Sequence, residues 1–408
     1  MNRLIAILLL SATTGIACAG FSSAALAAPK LKTLYSFKGL ADGGVPVAGL
    51  TWQGGTLYGT AEAGGAIDTQ NCPDGCGVVF KVDPQTGAEA AVYAFQGGSD
   101  GEAPVAGLIH ENGLFYGTTS DGGPPGCFGQ LGCGTVFSVN PKTGAESVLH
   151  AFTEDGTDGE IPFAGLTYLN GNLYGTTVEG GVGDGNVFAI NAKTGAETEL
   201  LDFEGGAYGE FPEAGLTLVG ANLFGTTAGQ AQNYGNVFEI DTVTGGETIL
   251  HGFSGTDGAY PLAGLIYYNG LLYGTTSGGG GGHGAGEVFS INPQSGGVTV
   301  LYAFQGGTDG SSPQAGLVEV NGMLYGTTKY GGVPRGCIGN HGCGTIFEID
   351  PGTAQETTLY HFTGKSDQGN PVAGLIYHGG SFYGTTAMNG TNSCYNQQGC
   401  GTVFKFTP

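Results

Sequence analysis

The segment KYGGVPRGCIGNHGCGT, residues 329–345, gathers the side chains of this sequence that could do chemistry most directly: Lys329, Tyr330, Arg335 and His341. Two cations can neutralise a carboxylate while a Tyr or His takes the proton from the neighbouring carbon, which is what a lyase acting on uronate sugars requires. The same groups could hold an anionic ligand without reacting. Lys38 and Lys365 fall in comparable loops elsewhere in the chain. The plainer reading of all six is that they are solvated surface side chains. No nucleophile elbow, phosphate loop, HExxH or EF-hand loop occurs, which lowers the standing of the common hydrolases and nucleotide enzymes.

Cysteine is the second chemical signal. Beyond Cys18 there are four close pairs: Cys72 and Cys76, Cys127 and Cys133, Cys337 and Cys343, Cys394 and Cys400. In an exported chain these read as four local disulfides, each worth about 2 kcal/mol on a chain-entropy account. Two neighbouring loops could instead pool four thiolates around zinc. No pair has CxxC spacing, which favours the disulfides, although sequence leaves cross-loop pairing open.

Export is expected from the amino terminus. Arg3 supplies a positive start, Leu4–Leu10 is apolar, and Ala25-Leu26-Ala27 forms a cleavage site. The polar residues that follow Leu10 come too early for a spanning helix, which needs about 20 apolar residues. A lipid anchor at Cys18 is the weaker alternative, because Gly15 stands where an aliphatic residue is usual. With 34 acidic and 11 basic residues the charge is -23. Removing residues 1–27 takes one cation, giving 10 − 34 = -24. So acidic a chain is repelled by nucleic acid and by anionic membrane surfaces.

The elements that must position these loops follow from internal repetition. The aromatic of a Leu/Phe-Tyr/Phe-Gly-Thr element recurs at Tyr58, Tyr116, Tyr174, Phe224, Tyr273, Tyr325 and Tyr383. A Val/Ile-Phe pair recurs at Phe80, Phe137, Phe188, Phe238, Phe289, Phe347 and Phe404. From each of these Phe residues to the next aromatic the distance is 35 to 37 residues, whereas the preceding interval varies from 14 to 22. All the length variation therefore sits in one loop. Each copy reads as four short strands, in the fifth copy 263–268, 271–277, 286–292 and 298–304. Asn269-Gly270 and NPQSGG supply its tight turns. In VTVLYAF (298–304) both alternating sets are apolar, so that strand is expected to be buried on both faces.

Seven such units imply an all-β, seven-bladed β-propeller with four antiparallel strands per blade. The last copy stops after its third strand, and KTLYSF (32–37) matches a fourth. The amino-terminal strand is thus expected to complete the last blade and close the ring. The expected organisation is a signal peptide at 1–27 and one propeller domain at 28–408, with blade 7 formed by 370–408 plus 31–37. The recurring aromatic is expected to pack on the next blade, and the glycine to permit close approach.

The tight turns share one face of such a ring. The variable loops share the other with stretches carrying Asp42, Asp100, Asp158, Asp257, Asp309 and Asp367; Tyr208 stands at this place in the fourth copy. These aspartates are expected to close turns, and no cofactor is required, though a ring of them could hold calcium. Every paired cysteine and the loop cations fall around blades 6, 7, 1 and 2. Binding is expected on that arc rather than on blades 3 to 5, where His283 sits in a glycine-rich loop. His110, Glu319 and His378 are on or at the end of first strands; each could face the channel, and packing is the expected role.

Motifs such as MLYGTTKYGG (323–332) followed by GTIFEIDPGT (344–353) resemble the bacterial GloVer tandem-repeat family, and they cover essentially all of residues 32–408. The resemblance implies an exported propeller and carries no established reaction. The leading expectation is an exported, monomeric, non-catalytic binding propeller for a glycan or a surface protein. A carbohydrate-active lyase or hydrolase on an acidic polysaccharide, and a purely structural envelope protein, are the alternatives.

Overall fold

The computed structural model describes residues 29–408 apart from 68–71, 128–130, 155, 157, 182, 207–208, 230–232, 282, 333–336, 338–340, 389–393 and 395–398. The expected signal segment lies outside the described residues. Seven four-stranded antiparallel sheets form a seven-bladed β-propeller. Blade 5 shows the plan: Ile266–Tyr268, Leu271–Thr276, Glu287–Ile291 and Val298–Ala303, hydrogen-bonded in chain order. The first strand is shorter than the sequence suggests, because the Ala-Gly-Leu before it runs along the axis and makes no ladder. Asn112, Asn170, Asn269 and Asn321 take φ values of 50–53° before a glycine, as the type I′ hairpin demands.

Each residue of the repeated Tyr-Gly-Thr-Thr element has its own structural duty. The aromatic packs on the next blade: Tyr58 lies 4.5 Å from Phe115, and Tyr325 lies 4.5 Å from Phe382. The glycine leaves room for the blade's own Val-Phe ring, since a Cβ on Gly59 would lie 2.6 Å from Phe80. The first threonine reaches across the gap between blades. In six of the seven copies, Thr327 being the exception, its hydroxyl donates to the carbonyl of the next blade's innermost segment, from Thr60 to Ala106 (2.8 Å), Thr118 to Ala164 (3.1 Å) and, between the last copy and the first, Thr385 to Ala48 (3.1 Å). The second threonine ties the second strand to the third, as Thr328 does with Thr345 (2.8 Å).

Around the axis the innermost segments touch through glycine. A methyl group on Gly107 would lie 3.4 Å from the Gly49 carbonyl oxygen, and one on Gly264 only 2.9 Å from that of Gly215. The series runs through all copies, and Gly49 in turn abuts Gly374. The fourth strand of the seventh sheet is Lys30–Ser36, antiparallel to Thr402–Thr407 with Lys32 opposite Lys405.

The fourth strand is not buried on both faces, contrary to the sequence expectation for VTVLYAF. Thr299 and Val300 are exposed, Val300 by 38%. Blades diverge outward, so the gap between neighbours is widest at the rim, where an apolar alternation cannot close it. The third strand, Glu287–Ile291, is the one buried throughout.

Polar clusters bridge blades at that wide rim. Tyr93 donates to Asp100 (2.6 Å), as does the Gln96 amide (2.7 Å), and Glu146 of the next blade stands against the pair. Tyr35, Asp42 and Glu89 repeat the arrangement, as do Tyr302, Asp309 and Glu356. His150 with Asp158 and His251 with Asp257 are histidine versions. Where blade 3 has Leu201 in place of the Tyr or His, the next stretch has Tyr208 in place of the Asp.

Burial, with the neighbouring Asp charge second for Glu89 and Glu146, pushes Glu89, Glu146 and Glu356 up to about 7 from 4.5. The folded chain therefore holds protons between pH 4.5 and 7 that the unfolded chain has released, and stability falls as pH rises through that window. We expect a higher Tm at pH 5 than at pH 8, with a shallower dependence when Glu89, Glu146 and Glu356 are all changed to Gln. A pH slope of Tm unchanged in the triple variant contradicts this assignment. Deleting residues 28–38 should sharply lower Tm, because it strips the seventh sheet of its outer strand; equal stability would refute that role.

Candidate functional site

Every copy contains Pro-x-Ala-Gly-Leu, beginning at Pro46, Pro104, Pro162, Pro212, Pro261, Pro313 and Pro371. The residue before each proline has positive φ although none is glycine; Val45 (57°) and Ile161 (59°) are β-branched and least suited to it. Such strain costs about 1–3 kcal/mol per residue and persists only where neighbours hold it. Each of these amides donates to a carbonyl at the end of the preceding blade's variable loop. In the four disulfide-bearing blades that acceptor is the second cysteine: Val45 to Cys400 (2.9 Å), Ala103 to Cys76 (3.1 Å), Ile161 to Cys133 (2.9 Å) and Asn370 to Cys343 (2.8 Å). Phe211, Tyr260 and Ser312 bond instead to Asp184, Tyr234 and Ala285.

The strained residue delivers the x position to the axis. Val47, Val105, Phe163, Glu213, Leu262, Gln314 and Val372 all line one cavity of about 340 Å³. Glu62, Lys329 and Ala387, each the residue after the Gly-Thr-Thr of its copy (Gly-Thr-Ala in the first), line the same cavity with Asn370 and Met388. Its wall is mainly apolar, and Phe163 is 43% exposed. Burial raises the carboxyls of Glu62 and Glu213, and the charge of Asp121 adds to the effect at Glu62. A cavity of this size and mixed lining suits a small ligand or one residue of a longer one.

The residues singled out from sequence are distributed as follows. Lys329 lines the axial cavity and its ammonium lies 5.3 Å over the Tyr330 ring. Tyr330 lies 5.7 Å from His341, and both line a separate cavity of about 300 Å³ beside Ser311. Arg335 lies outside the described residues. Lys38 sits 5.8 Å over Tyr35, and Lys365 is exposed in the turn closed by Asp367. His283 is exposed; His110 packs on Phe115, Glu319 accepts the Gly322 amide, and His378 stacks on Trp52. The cavity draws on every blade, blades 3 to 5 included. Its lining was missed in the sequence although the signal was present: x is the one place in Pro-x-Ala-Gly-Leu that differs among copies.

The four expected disulfides are formed: Cys72–Cys76, Cys127–Cys133, Cys337–Cys343 and Cys394–Cys400. Glu160 comes close to Cys127 and Cys133, a trio of metal-ligand type. Both sulfurs are committed to the disulfide, which leaves no thiolate to offer.

Comparison with known proteins places the chain in a family. The model of the Gloeobacter/Verrucomicrobia repeat matches residues 21–184 and 125–336, well over half of the chain. The chain belongs to that family. No curated protein matches it. Among solved structures, the extracellular domain of a B. thetaiotaomicron one-component-system protein is similar at a TM-score of 0.59 and 10% identity, covering 92% of this chain and 40% of that one. A puromycin-hydrolyzing peptidase from Mycobacterium tuberculosis is similar at 0.51 and 13%, covering 83% and 48%. The chain thus spans less than half the length of either protein, and identities this low speak to the fold alone.

Reduction with a thiol should leave the sheet signal in far-UV circular dichroism intact. It should accelerate amide exchange at Val45, Ala103, Ile161 and Asn370 while sparing Phe211, Tyr260 and Ser312. Equal acceleration at all seven would contradict the coupling of disulfides to the axis.

Proposed function

We propose that this is an exported, non-catalytic binding propeller that receives a glycan in the axial cavity. One observation carries the reading. Within a motif otherwise constant in seven copies, only the residue that lines the cavity varies, as Val, Phe, Glu, Leu or Gln. A position the fold demanded would repeat; one that varies on a fixed scaffold is free to serve a ligand. The exposed Phe163 ring suits a sugar's C–H face, while Glu213 and Gln314 offer acceptors for its hydroxyls. Four disulfides fit an oxidising compartment outside the cytosol. Among the described residues, no helix is long and apolar enough to cross a membrane.

A glycan array probed with the mature protein should show selective hits, and Phe163→Ala with Glu213→Gln should weaken them by about tenfold or more, the worth of one good interaction. Hits that survive both changes would remove the axial cavity from the account. Selective binding to a surface protein and to no glycan would replace the ligand class. For any acidic glycan, Lys329→Ala with Arg335→Ala should weaken binding by about 2 kcal/mol or more if both make charge-assisted bonds.

An enzymatic reading has a specific support of its own. Glu62 and Glu213 share the cavity, and burial keeps both carboxyls readier to carry a proton, as a general acid needs. Product release from an array hit, abolished by Glu62→Gln or Glu213→Gln, would establish it in place of simple binding.

A further inference from the structure

The seam between the first and last blades carries a further cavity, of about 400 Å³, on the face of the tight turns. Lys32, Trp52, Pro84, Gln85, His378, Tyr383 and Lys405 line it. Pro84 and Gln85 belong to the third-to-fourth turn of blade 1, which fixes its position on the side away from the disulfide loops.

Three of its features depart from the repeat. The cross-strand pair between third and fourth strands at this level is Lys81–Ala90, Ser138–Ser147, Ala189–Thr198, Glu239–Thr248, Ser290–Thr299 and Glu348–Thr357 in blades 1 to 6. In blade 7 it is Lys405–Lys32. Like charges directly opposite each other on a ladder are destabilising, so the fold has no use for this pair. Neither ammonium forms a salt bridge among the described residues, in a chain of charge -23. Second, the single tryptophan of the sequence stands here, its ring stacked on His378 at 3.8 Å and 17°, and 5.6 Å from Tyr383. Third, Lys405 lies 5.7 Å over the Tyr383 ring, which keeps its charge beside the aromatic platform.

We infer that this seam cavity binds an acidic sugar, its carboxylate or sulfate bridging Lys32 and Lys405 and its ring lying against Trp52. The anion supplies what the free protein lacks, a negative charge between two facing ammonium groups. Trp52 supplies the apolar face that a pyranose ring presents to an aromatic. Gln85 at the rim can bond a hydroxyl. The inference stands apart from the axial reading, because Trp52, Lys32 and Lys405 line this cavity and none of them lines the other.

Trp52 reports on its own site. Titrating the mature protein with oligogalacturonate at low salt, and separately with a heparin oligosaccharide, should shift or quench its fluorescence saturably; neutral malto-oligosaccharide should not. The two acidic probes distinguish a carboxylate ligand from a sulfate one. Lys32→Thr with Lys405→Ser installs residues that other blades carry at these positions. It should leave Tm equal or raised by relief of repulsion and weaken the response about tenfold or more. Lys142→Gln, in the equivalent turn of blade 2 and outside the cavity lining, should change nothing. Absence of a response to either acidic probe would overturn the inference. So would an undiminished response in the double variant, or a Tm that falls with it, since the lysines would then belong to the fold.

Discussion

Seven backbones meeting at one axis is the constraint from which the rest of this molecule follows. The innermost segments come close enough that a methyl group on Gly264 would press on the Gly215 carbonyl, and the same contact passes from copy to copy until Gly49 meets Gly374. A side chain would be crowded at Gly215, Gly264 and Gly316, whereas at Gly49 and Gly374 the spacing is that of ordinary van der Waals contact. Once the axis is set, the threonine hydroxyls can reach the neighbouring Ala carbonyls, and the blades splay outward. The widening gap is filled first by aromatic rings and then, at the rim, by Tyr–Asp–Glu clusters. The repeated Tyr-Gly-Thr-Thr is the sequence image of this packing problem solved seven times, and none of its residues is left over for chemistry.

That exhaustion of the constant positions turns the exceptions into information. A solenoid or a ring of equivalent units repeats whatever its packing requires. The x of Pro-x-Ala-Gly-Leu does not repeat, and it lines the axial cavity. The Lys32–Lys405 pair and Trp52 do not repeat either, and they line the seam. The disulfides are a third exception with a mechanical role. They fix the four loops whose second-cysteine carbonyls hold a strained residue beside the axis, so they stiffen the cavity rim while their sulfurs pack into the buried clusters between blades.

Blade number, strands per blade, hairpin turns and disulfide pairs were legible because repetition states them outright: four Asn-Gly turns, and four cysteine pairs within six residues or fewer of each other; the extra two-stranded ladder of Gly159–Glu160 with Glu179–Gly180 lies outside the repeat and was not. The axial site is less legible, because chemically rich loops such as 329–345 outweigh single variable letters inside a constant motif. The Tyr–Asp bridges were half visible. The Asp of each turn was noted, but its partner lies six to eight residues earlier, at the end of a strand whose aromatic looked like core. The burial of VTVLYAF was overestimated for the same geometric reason that the bridges exist. Alternation of apolar residues cannot tell a strand between two blades from one at their diverging edge.

The central claim is that the varying ring at the axis serves a ligand and not the fold. A variant made uniform there by Phe163→Val, Glu213→Val, Leu262→Val and Gln314→Val gives every blade the residue that Val47, Val105 and Val372 already provide. Measured together for melting temperature and glycan-array binding, it should fold with undiminished stability and bind at background level. Binding that persists in this uniform ring, or a fold that collapses with it, would contradict the account.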